Sequence, residues 1–553
     1  MLLFVSKLTA RLSMIAGSAL LGYLSLAALQ LKVVWGGWTQ WDVPLWDGAT
    51  YFIYGRHVAT SLIFPPLEWS PAFAGYYALF QWLFGGWGPL AVYFAHRVVT
   101  LLLVVWLLYA LLRSLLPAFT AWLVTAIYIG FQVGLNNYFV VHLFVLIPLL
   151  IAYRASLSTS ALGRNFMLIG LLTAAFVRSE FFLSVALVLV GMIAAAFRRR
   201  REPWNVGVLL RRYAPALTWA VVLAVMIVRA GPSHAASDRS WGAFEQHYAW
   251  GYQERHPEWN VDFWFKYAEA VQRSFGPAQS IVQAARNSPL EMATHFLWNL
   301  HVLPSVLPEL LSPLPGMAWI LILLGLGAIG LPVALIRYWA ARRRKSHLLR
   351  LKEGRVGRLV AVIVVTLLPL VISIMVIRPR TIYLMPLLPP LLLIAGVGLI
   401  SLLPKWATQK KLVALLLPFC LIGLVIFPSP FNAPVERYVL ETSQKLKDLP
   451  IEGDFGLLGP SARGFCVYSL PDRCRGVEVA QVPQTVADFP DYLARENIQV
   501  IIVNDQVLNN LPAAGQAFIA QLLAQPADVG WQAISQTGPF QIYLHPSTGG
   551  ISP

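Results

Sequence analysis

Three carboxylates stand among aromatic residues in one short stretch near the N-terminus. Asp42, Asp47 and Glu68 share this stretch with indole and phenol rings, namely Trp38, Trp41, Trp46, Tyr51, Tyr54 and Trp69. Carbohydrate sites are commonly built this way, because aromatic faces stack on sugar rings while carboxylates bind hydroxyl groups or accept a proton. An aromatic belt at a membrane interface also enriches Trp and Tyr, but a belt does not explain three acids. The stretch is therefore predicted to form part of a site.

A second charged cluster interrupts an apolar region. Arg178 and Glu180 lie between two apolar runs, 165–177 and 181–197, each shorter than the roughly 20 residues that span a bilayer. Their turn is expected below the outer membrane surface, where charges are costly unless they pair or face a wet cavity. A functional cavity is the favoured interpretation, and a structural ion pair is the alternative.

Other residues could also act on a substrate. Arg378 and Arg380 follow an apolar run, where they could bind phosphate or snorkel to lipid headgroups. His142, His247 and His295 could orient a substrate or ligate a metal. For each histidine taken alone, a structural role is favoured.

The composition places these residues in a membrane protein. Apolar residues make up 57% of the chain and charged residues only 12%, which is outside the range of soluble globular proteins. No charged side chain lies between Arg113 and Arg154, a gap that holds about two spans. The N-terminal apolar run is longer than that of a signal peptide and is interpreted as a retained helix.

The basic residues that give the net charge of +16 are placed in a way that indicates membrane topology. Lysine and arginine concentrate in short gaps between apolar segments, and those gaps contain almost no acid beyond Glu202 and Glu353. The positive-inside rule makes these gaps the cytoplasmic loops. The lipid bilayer is therefore an expected partner, and nucleic acid is not.

Alternation between the two sides predicts about eleven spans in the inner (plasma) membrane, with the N-terminus in the cytoplasm. The predicted spans are 12–34, 89–112, two within 113–154, 165–177, 181–197, 213–229, 315–337, 359–377, 382–403 and 412–428. Extracytoplasmic loops are predicted at 35–88 and 230–312. The expected fold class is an α-helical polytopic membrane domain, 1–429, with a small soluble α/β domain, 430–553, on the extracytoplasmic side.

The tail has the pattern of an α/β domain of about 110 residues, long enough for its own core. Residues 498–503 are predicted as a buried strand, with helix-like stretches at 485–496 and 511–524. Cys466 and Cys474 lie in this tail, where a disulfide is chemically allowed but not required.

Several of these stretches follow known motifs. Residues 46–51 read Trp-Asp-Gly-Ala-Thr-Tyr, and residues 65–71 read Pro-Pro-Leu-Glu-Trp-Ser-Pro. Residues 178–180 read Arg-Ser-Glu, and residues 379–389 read Pro-Arg-Thr-Ile-Tyr-Leu-Met-Pro-Leu-Leu-Pro. They resemble the acidic first loop with its Ser-Pro end, the Arg-Pro-Glu-like turn and the late Pro-Arg-Tyr-Leu-Leu-Pro run of the GT-C glycosyltransferases. That superfamily takes sugars from polyprenyl-phosphate donors and includes the protein mannosyltransferases and the aminoarabinose transferases of lipid A.

The resemblance implies an inverting glycosyltransferase that works at the extracytoplasmic face on a polyprenyl-phosphate sugar. Asp47 is the predicted general base, with Glu68 as the second choice. Arg178, Arg378 and Arg380 are predicted to bind the phosphate, since arginine suits bidentate phosphate contacts. Further substrate-binding residues are predicted around them, namely Trp46, Tyr51, Glu180, His247 and Tyr383.

Two features depart from the family pattern. Gly48 stands where the family commonly has a second acid, and two residues are inserted between Arg380 and Tyr383. The first departure leaves a metal requirement open. A divalent cation, if used, would be bound by Asp42, Asp47 and Glu68. The sugar, the polyprenyl carrier and the acceptor, whether glycan, lipid or protein, are not specified.

Two other functions compete with transfer. A transporter or flippase of a lipid-linked sugar predicts polar residues at mid-membrane in several helices and often inverted repeats, and the sequence has neither pattern. A non-catalytic envelope assembly protein would account for the tail but not for the acidic loop.

Overall fold

The computed structural model describes residues 19–35, 42–45, 47–131, 140–198, 206–230, 239–259, 263–264, 266–313, 320–322, 324–330, 332, 347–402 and 437–546. The chain divides into two compact units. The first unit is Met1–Trp35, Ile63–Phe73 and Arg97–Asn432, and the second is Gly36–Leu62, Ala74–His96 and Ala433–Pro553. The loop predicted at 35–88 therefore contributes to both units.

Helices, many of them apolar, make up most of the described chain up to residue 402. These helices are Ala19–Val34, Asp47–Ser61, Pro71–Phe84, Pro89–Arg113, Ala118–Ile129, Val140–Phe144, Leu146–Ser156, Ala161–Val177, Phe182–Arg198, Val206–Val228, Arg239–Arg255, Tyr267–Phe275, Ile281–Asn287, Pro289–Leu310, His347–Val376 and Leu388–Leu402. Together with the C-terminal sheet described below, they confirm the predicted fold class.

Four segments are long and apolar enough to cross a bilayer, judged by length and composition: Pro89–Arg113, Leu210–Val228, Gly354–Val376 and Thr381–Ile400. Shorter apolar helices coincide with most of the other predicted spans. The predicted span 412–428 and the predicted outer turn at 136–137 lie outside the described residues. The count of about eleven spans stays a prediction.

The two short apolar runs around Arg178 form the helices Ala161–Val177 and Phe182–Arg198, each of 17 residues. Arg178 ends the first helix in an extended conformation, with φ −141° and ψ 113°. A 3-10 turn, Ser179–Phe181, then leads into the second helix. Both helices are shorter than the roughly 20 residues of a full span. The position of this turn below the membrane surface stays a prediction.

Four helices also form within the second predicted extracytoplasmic loop, 230–312. Arg239–Arg255, Tyr267–Phe275, Ile281–Asn287 and Pro289–Leu310 surround an aromatic core. That core includes Trp241, Phe244, Tyr248, Trp259 and Phe275. Burying one such ring stabilises the fold by about 2 kcal/mol, so this cluster holds the four helices as a small packed body.

The C-terminal part of the second unit contains a five-stranded sheet with the order β2-β1-β3-β5-β4. Its strands are β1 (Phe455–Gly459), β2 (Cys474–Glu478), β3 (Ile498–Val503), β4 (Gln532–Thr537) and β5 (Phe540–Leu544). β1 pairs in parallel with β2 and β3, while β5 is antiparallel to β3 and β4. The strand predicted at 498–503 is thus β3, at the centre of the sheet.

A disulfide joins Cys466, in the helix Ala462–Ser469, to Cys474 at the start of β2, with their Cα atoms 5.1 Å apart. The disulfide that the sequence allowed but did not require is therefore present. It closes the connection between that helix and β2.

Candidate functional site

The Ser-Pro end of the first loop contacts the Arg178 turn within the first unit. Leu67–Trp69 forms a 3-10 turn that ends at Ser70, whose φ of 56° lies in the left-handed region. Such a conformation is costly for a residue other than glycine and needs support from its surroundings. Ser70 is buried, and its hydroxyl donates to the carbonyl of Val177 at 2.5 Å. Glu68 and Trp69 are consequently tied to the residue that precedes Arg178.

Arg178 lies at the centre of this arrangement. Its Nε is 2.5 Å from the Glu180 carboxylate, and its Nη1 lies 3.1 Å from Nδ1 of His142. Its guanidinium also lies 5.3 Å from the centroid of the Tyr383 ring. The side chains of Arg178 and Glu180 are only 12% and 20% exposed, so the ion pair, which was the alternative to a functional cavity, forms in a largely dry environment.

Tyr383 connects the Arg178 turn to the second histidine. The insertion after Arg380 is accommodated by a 3-10 turn, Thr381–Leu387, and the Tyr383 amide donates to the Arg380 carbonyl at 2.9 Å. The Tyr383 hydroxyl lies 3.4 Å from Nε2 of His247, and the ring centroids of Tyr383 and His142 are 5.3 Å apart. The two histidines thus flank one phenol.

The two late arginines differ in their partners. Arg378 forms an ion pair with Glu254, and its guanidinium lies 4.6 Å from the Trp250 ring centroid. Arg380 lies 6.0 Å from the Tyr383 ring centroid and forms no ion pair with a carboxylate in the described part of the chain. Of these two cations, Arg380 is the better placed to accept an external anion.

Two buried residues hold the end of the span that precedes these arginines. Nε2 of His295 contacts the Val376 carbonyl at 2.9 Å, and the Asn299 amide donates to the Met375 carbonyl at 2.9 Å. These contacts satisfy carbonyls in the last turn of the helix, which have no partner inside it. His295 therefore serves a structural purpose, which was the favoured interpretation of that residue.

Arg239 is a member of the site that the sequence reasoning missed. Its Nη1 donates to the Glu68 carbonyl at 2.7 Å, and its guanidinium lies 3.6 Å from the Trp69 ring centroid. The charges of Arg178, Arg380 and Arg239 all act on the His142 imidazole. The only sequence signal for Arg239 is its position directly before the aromatic-rich stretch that begins at Trp241.

The remaining predicted residues belong to the second unit. Asp47 is the first residue of the helix Asp47–Ser61 and is exposed, in the first helical turn where an acid is favoured by the helix dipole. Tyr51 is buried in the same helix, and Trp46 lies outside the described residues. How Asp47 is placed toward the Arg178 cluster stays a prediction.

Asp42, one of the three acids suggested for a divalent cation, is already bound by backbone amides. Both oxygens of Asp42 accept backbone N–H groups, from Val43, Val439 and Leu440. Burial raises the pKa of Asp42 above its usual value, while these three bonds oppose the rise. Across the described ranges no group of three or more His, Cys, Asp or Glu side chains has the geometry of a metal site. We therefore derive no step through a metal.

His247 is a buried, neutral residue of the site. It lies in the helix Arg239–Arg255, in the segment predicted to be outside the membrane, and is 4% exposed. Burial, aided by the charges of Arg380, His295 and Arg378, lowers its pKa from 6.5 to about 3. The neutral ring can either donate a hydrogen bond to the Tyr383 hydroxyl or accept one from it, depending on its tautomer.

Replacing His247 by glutamine should reduce the acid sensitivity of the protein. Below pH 6.5 the unfolded chain binds a proton at this residue, whereas the folded chain does so only near pH 3. Stability is therefore lost as the pH falls from 6.5 toward 3, by about 2 kcal/mol between pH 7 and pH 5. His247→Gln should remove that part of the loss, measured by denaturant unfolding in detergent at both pH values. The exposed His301→Gln is the control, and equal losses in both variants would contradict the expectation.

No protein-family model and no curated protein matches the chain. In structure it is similar to the oligosaccharyltransferase of Archaeoglobus fulgidus in the apo form, at 11% identity and a TM-score of 0.44, over 89% of this chain and 70% of that one. The same enzyme in complex with Zn and sulfate gives 11% identity and a TM-score of 0.42, over 95% and 73%. ArnT of Cupriavidus metallidurans bound to undecaprenyl phosphate gives 12% identity and a TM-score of 0.41, over 98% of each chain.

These structures are GT-C glycosyltransferases, the superfamily whose motifs the sequence resembles. Identities of 11–12% assign no residue roles.

Proposed function

We propose that this chain is an inverting glycosyltransferase that moves a sugar from a polyprenyl-phosphate donor to an acceptor at the extracytoplasmic face of the membrane. The observation that carries the proposal is the cluster of guanidinium groups in the first unit. Arg178, Arg239 and Arg380 act on one imidazole, that of His142, and Arg178 and Arg380 lie beside one phenol, that of Tyr383. Guanidinium groups in a partly dry site suit the bidentate binding of a phosphate.

The proposed reaction needs stabilisation of negative charge on the leaving phosphate and a base for the attacking hydroxyl. The acceptor hydroxyl oxygen forms a bond to the anomeric carbon while the bond from that carbon to the phosphate oxygen breaks. The electron pair of the broken bond leaves with the polyprenyl phosphate, whose developing charge the arginines stabilise. The hydroxyl proton passes to a carboxylate, for which Asp47 is the first candidate and Glu68 the second.

The proposed location follows from the same features. Basic residues concentrate in the loops assigned to the cytoplasm, while the predicted site residues fall on the opposite side. A disulfide between Cys466 and Cys474 supports an oxidising, extracytoplasmic environment for the C-terminal domain.

Transfer and transport can be separated directly. The purified protein would be reconstituted in liposomes with a panel of polyprenyl-phosphate hexoses and pentoses, together with an envelope glycan or lipid extract as acceptor. Transfer releases polyprenyl phosphate and forms a new glycoside, both detectable by mass spectrometry. A flippase would instead move the intact donor between leaflets and leave its glycosyl bond unbroken, and that result would overturn the proposal.

Arg380→Ala should weaken use of the lipid-linked donor. A charge-assisted hydrogen bond contributes about 1.5–3 kcal/mol, so the donor KM should rise by roughly 10- to 100-fold. The measurement is the initial rate against donor concentration at saturating acceptor. Arg113→Ala is the matched control, because Arg113 ends a span on the side predicted to be cytoplasmic. Unchanged donor kinetics in Arg380→Ala would favour headgroup snorkelling for this residue.

A further inference from the structure

Inside the second unit, the C-terminal domain contacts both Asp42 and the helix that begins with Asp47. The first of these contacts is made by Asp42. Its Oδ1 accepts the N–H of Leu440 at 2.8 Å, and its Oδ2 accepts that of Val439 at 3.1 Å. Both amides lie in the first turn of the helix Tyr438–Lys447, so a carboxylate from the first loop caps a C-terminal helix.

A second contact is the close approach of two helices at Gly464. A Cβ atom at this position would lie 2.9 Å from the end of the Leu45 side chain and 3.2 Å from the Cβ of Ala49. The helix Ala462–Ser469 therefore packs directly on the start of the helix Asp47–Ser61. Only a residue without a side chain permits this distance without displacing a neighbour.

Further contacts follow along the same helix. The ring centroids of Phe52 and Tyr468 are 5.7 Å apart, and Arg56 forms an ion pair with Asp472. Asp472 lies within the loop closed by the disulfide between Cys466 and Cys474. Contacts thus run from the residues before Asp47 to the third turn of its helix.

We infer that the C-terminal domain positions the candidate general base, with Asp42 and Gly464 as positioning residues for Asp47. Proton transfer from an acceptor hydroxyl needs the carboxylate within hydrogen-bond reach, and a displacement of about 1 Å costs on the order of 100-fold in rate. Asp47 is the first residue of this helix, so how the helix is held is one determinant of where its carboxylate lies. The inference rests on the proposed function, because that function makes Asp47 the general base. It assigns a purpose to a domain that carries none of the predicted site residues.

The test uses two variants, each with a matched control from the same domain. Asp42→Ala removes a carboxylate that caps a helix in contact with the first loop. Asp488→Ala removes a carboxylate that caps the helix Phe489–Arg495, where Asp488 accepts the N–H of Asp491 at 3.0 Å. Each variant loses a helix cap, at a cost of about 1 kcal/mol, with two N–H groups released by Asp42→Ala and one by Asp488→Ala. Only Asp42 belongs to the segment that leads into Asp47.

Gly464→Ala and Gly515→Ala form the second pair. A Cβ at Gly515 would lie 2.9 Å from the Phe489 ring, the same closeness as at Gly464, but in the core behind the sheet. Both therefore introduce comparable crowding into one domain. If Asp42→Ala does not fold, Gly464→Ala still tests the inference.

We expect Asp42→Ala and Gly464→Ala to lower kcat at least 10-fold while the donor KM changes less than two-fold. Hydrogen exchange should rise in residues 47–61 in both variants, and Asp42→Asn, which keeps one acceptor oxygen, should recover part of the turnover. Asp488→Ala and Gly515→Ala should leave kcat and that exchange unchanged.

Wild-type kcat in both Asp42→Ala and Gly464→Ala, with Asp47→Asn inactive, would overturn the positioning inference and leave the proposed function standing. Full activity of Asp47→Asn would instead remove the base assignment on which the inference rests. Hydrogen exchange measures how firmly residues 47–61 are held, independently of turnover. Failure of the positioning inference can therefore be distinguished from failure of the base assignment.

Discussion

Asp47→Asn is expected to abolish transfer while the protein stays folded and inserted. Asparagine has the shape of aspartate but cannot take up the acceptor proton at neutral pH, and loss of a general base typically costs 10²–10⁴-fold in rate. Asparagine is also tolerated at a helix start, so the free energy of unfolding should change by no more than about 0.5 kcal/mol. The measurements are glycoside formation in liposomes and thermal unfolding in detergent.

Glu68→Gln is the matched control for Asp47→Asn. It removes the other candidate carboxylate, which belongs to the turn Leu67–Trp69 of the first unit. Turnover close to wild type in Glu68→Gln identifies Asp47 as the base. The reverse outcome, an active Asp47→Asn and an inactive Glu68→Gln, would move that assignment to Glu68.

Arg178→Gln is expected to lower kcat by about 10²–10³-fold, the usual cost of removing one group that stabilises charge in a transition state. The reason is that Arg178 lies beside His142 and Tyr383, where the phosphate is proposed to leave. Arg178→Lys should recover only a part, because an ammonium group does not reproduce a planar bidentate contact. Single-turnover rates at saturating donor report this step.

The same variant tests whether the ion pair with Glu180 is purely structural. Glu180→Gln removes the pair but leaves the cation in place. If Arg178 serves only the pair, both single variants and the double variant should lose the same activity and stability. We expect Glu180→Gln to cost stability and far less kcat than Arg178→Gln. Equal losses of kcat would contradict a phosphate-binding role for Arg178.

Much of the membrane region could be predicted from periodicity and charge alone. The helices Ala161–Val177 and Phe182–Arg198 coincide closely with the apolar runs that flank Arg178, and β3 coincides with the predicted strand at 498–503. These elements depend on local composition, which a single sequence contains. The short length of the two helices was also evident, and with it the position of Arg178 at a turn.

The members of the site were harder to identify when their role depends on a distant partner. Arg239 carries no motif, and its contact with Trp69 joins residues far apart in the sequence. The different partners of Arg378 and Arg380 could not be predicted either, because Glu254, which pairs with Arg378, lies in the distant helix Arg239–Arg255. Such pairings arise from tertiary packing and leave no periodic signal.

The sequence by itself determined the class of this protein: its hydrophobicity requires a membrane, its basic loops indicate a topology, and its carboxylates and arginines in motif order indicate glycosyl transfer. The membrane class and the topology follow from residue type and spacing, whereas glycosyl transfer is what the resemblance to the GT-C motifs implies. Only the tertiary structure decided that the helix beginning with Asp47 is held by the C-terminal domain, through Asp42 and Gly464. Hydrogen bonds and helix contacts between segments some 400 residues apart depend on how the chain packs.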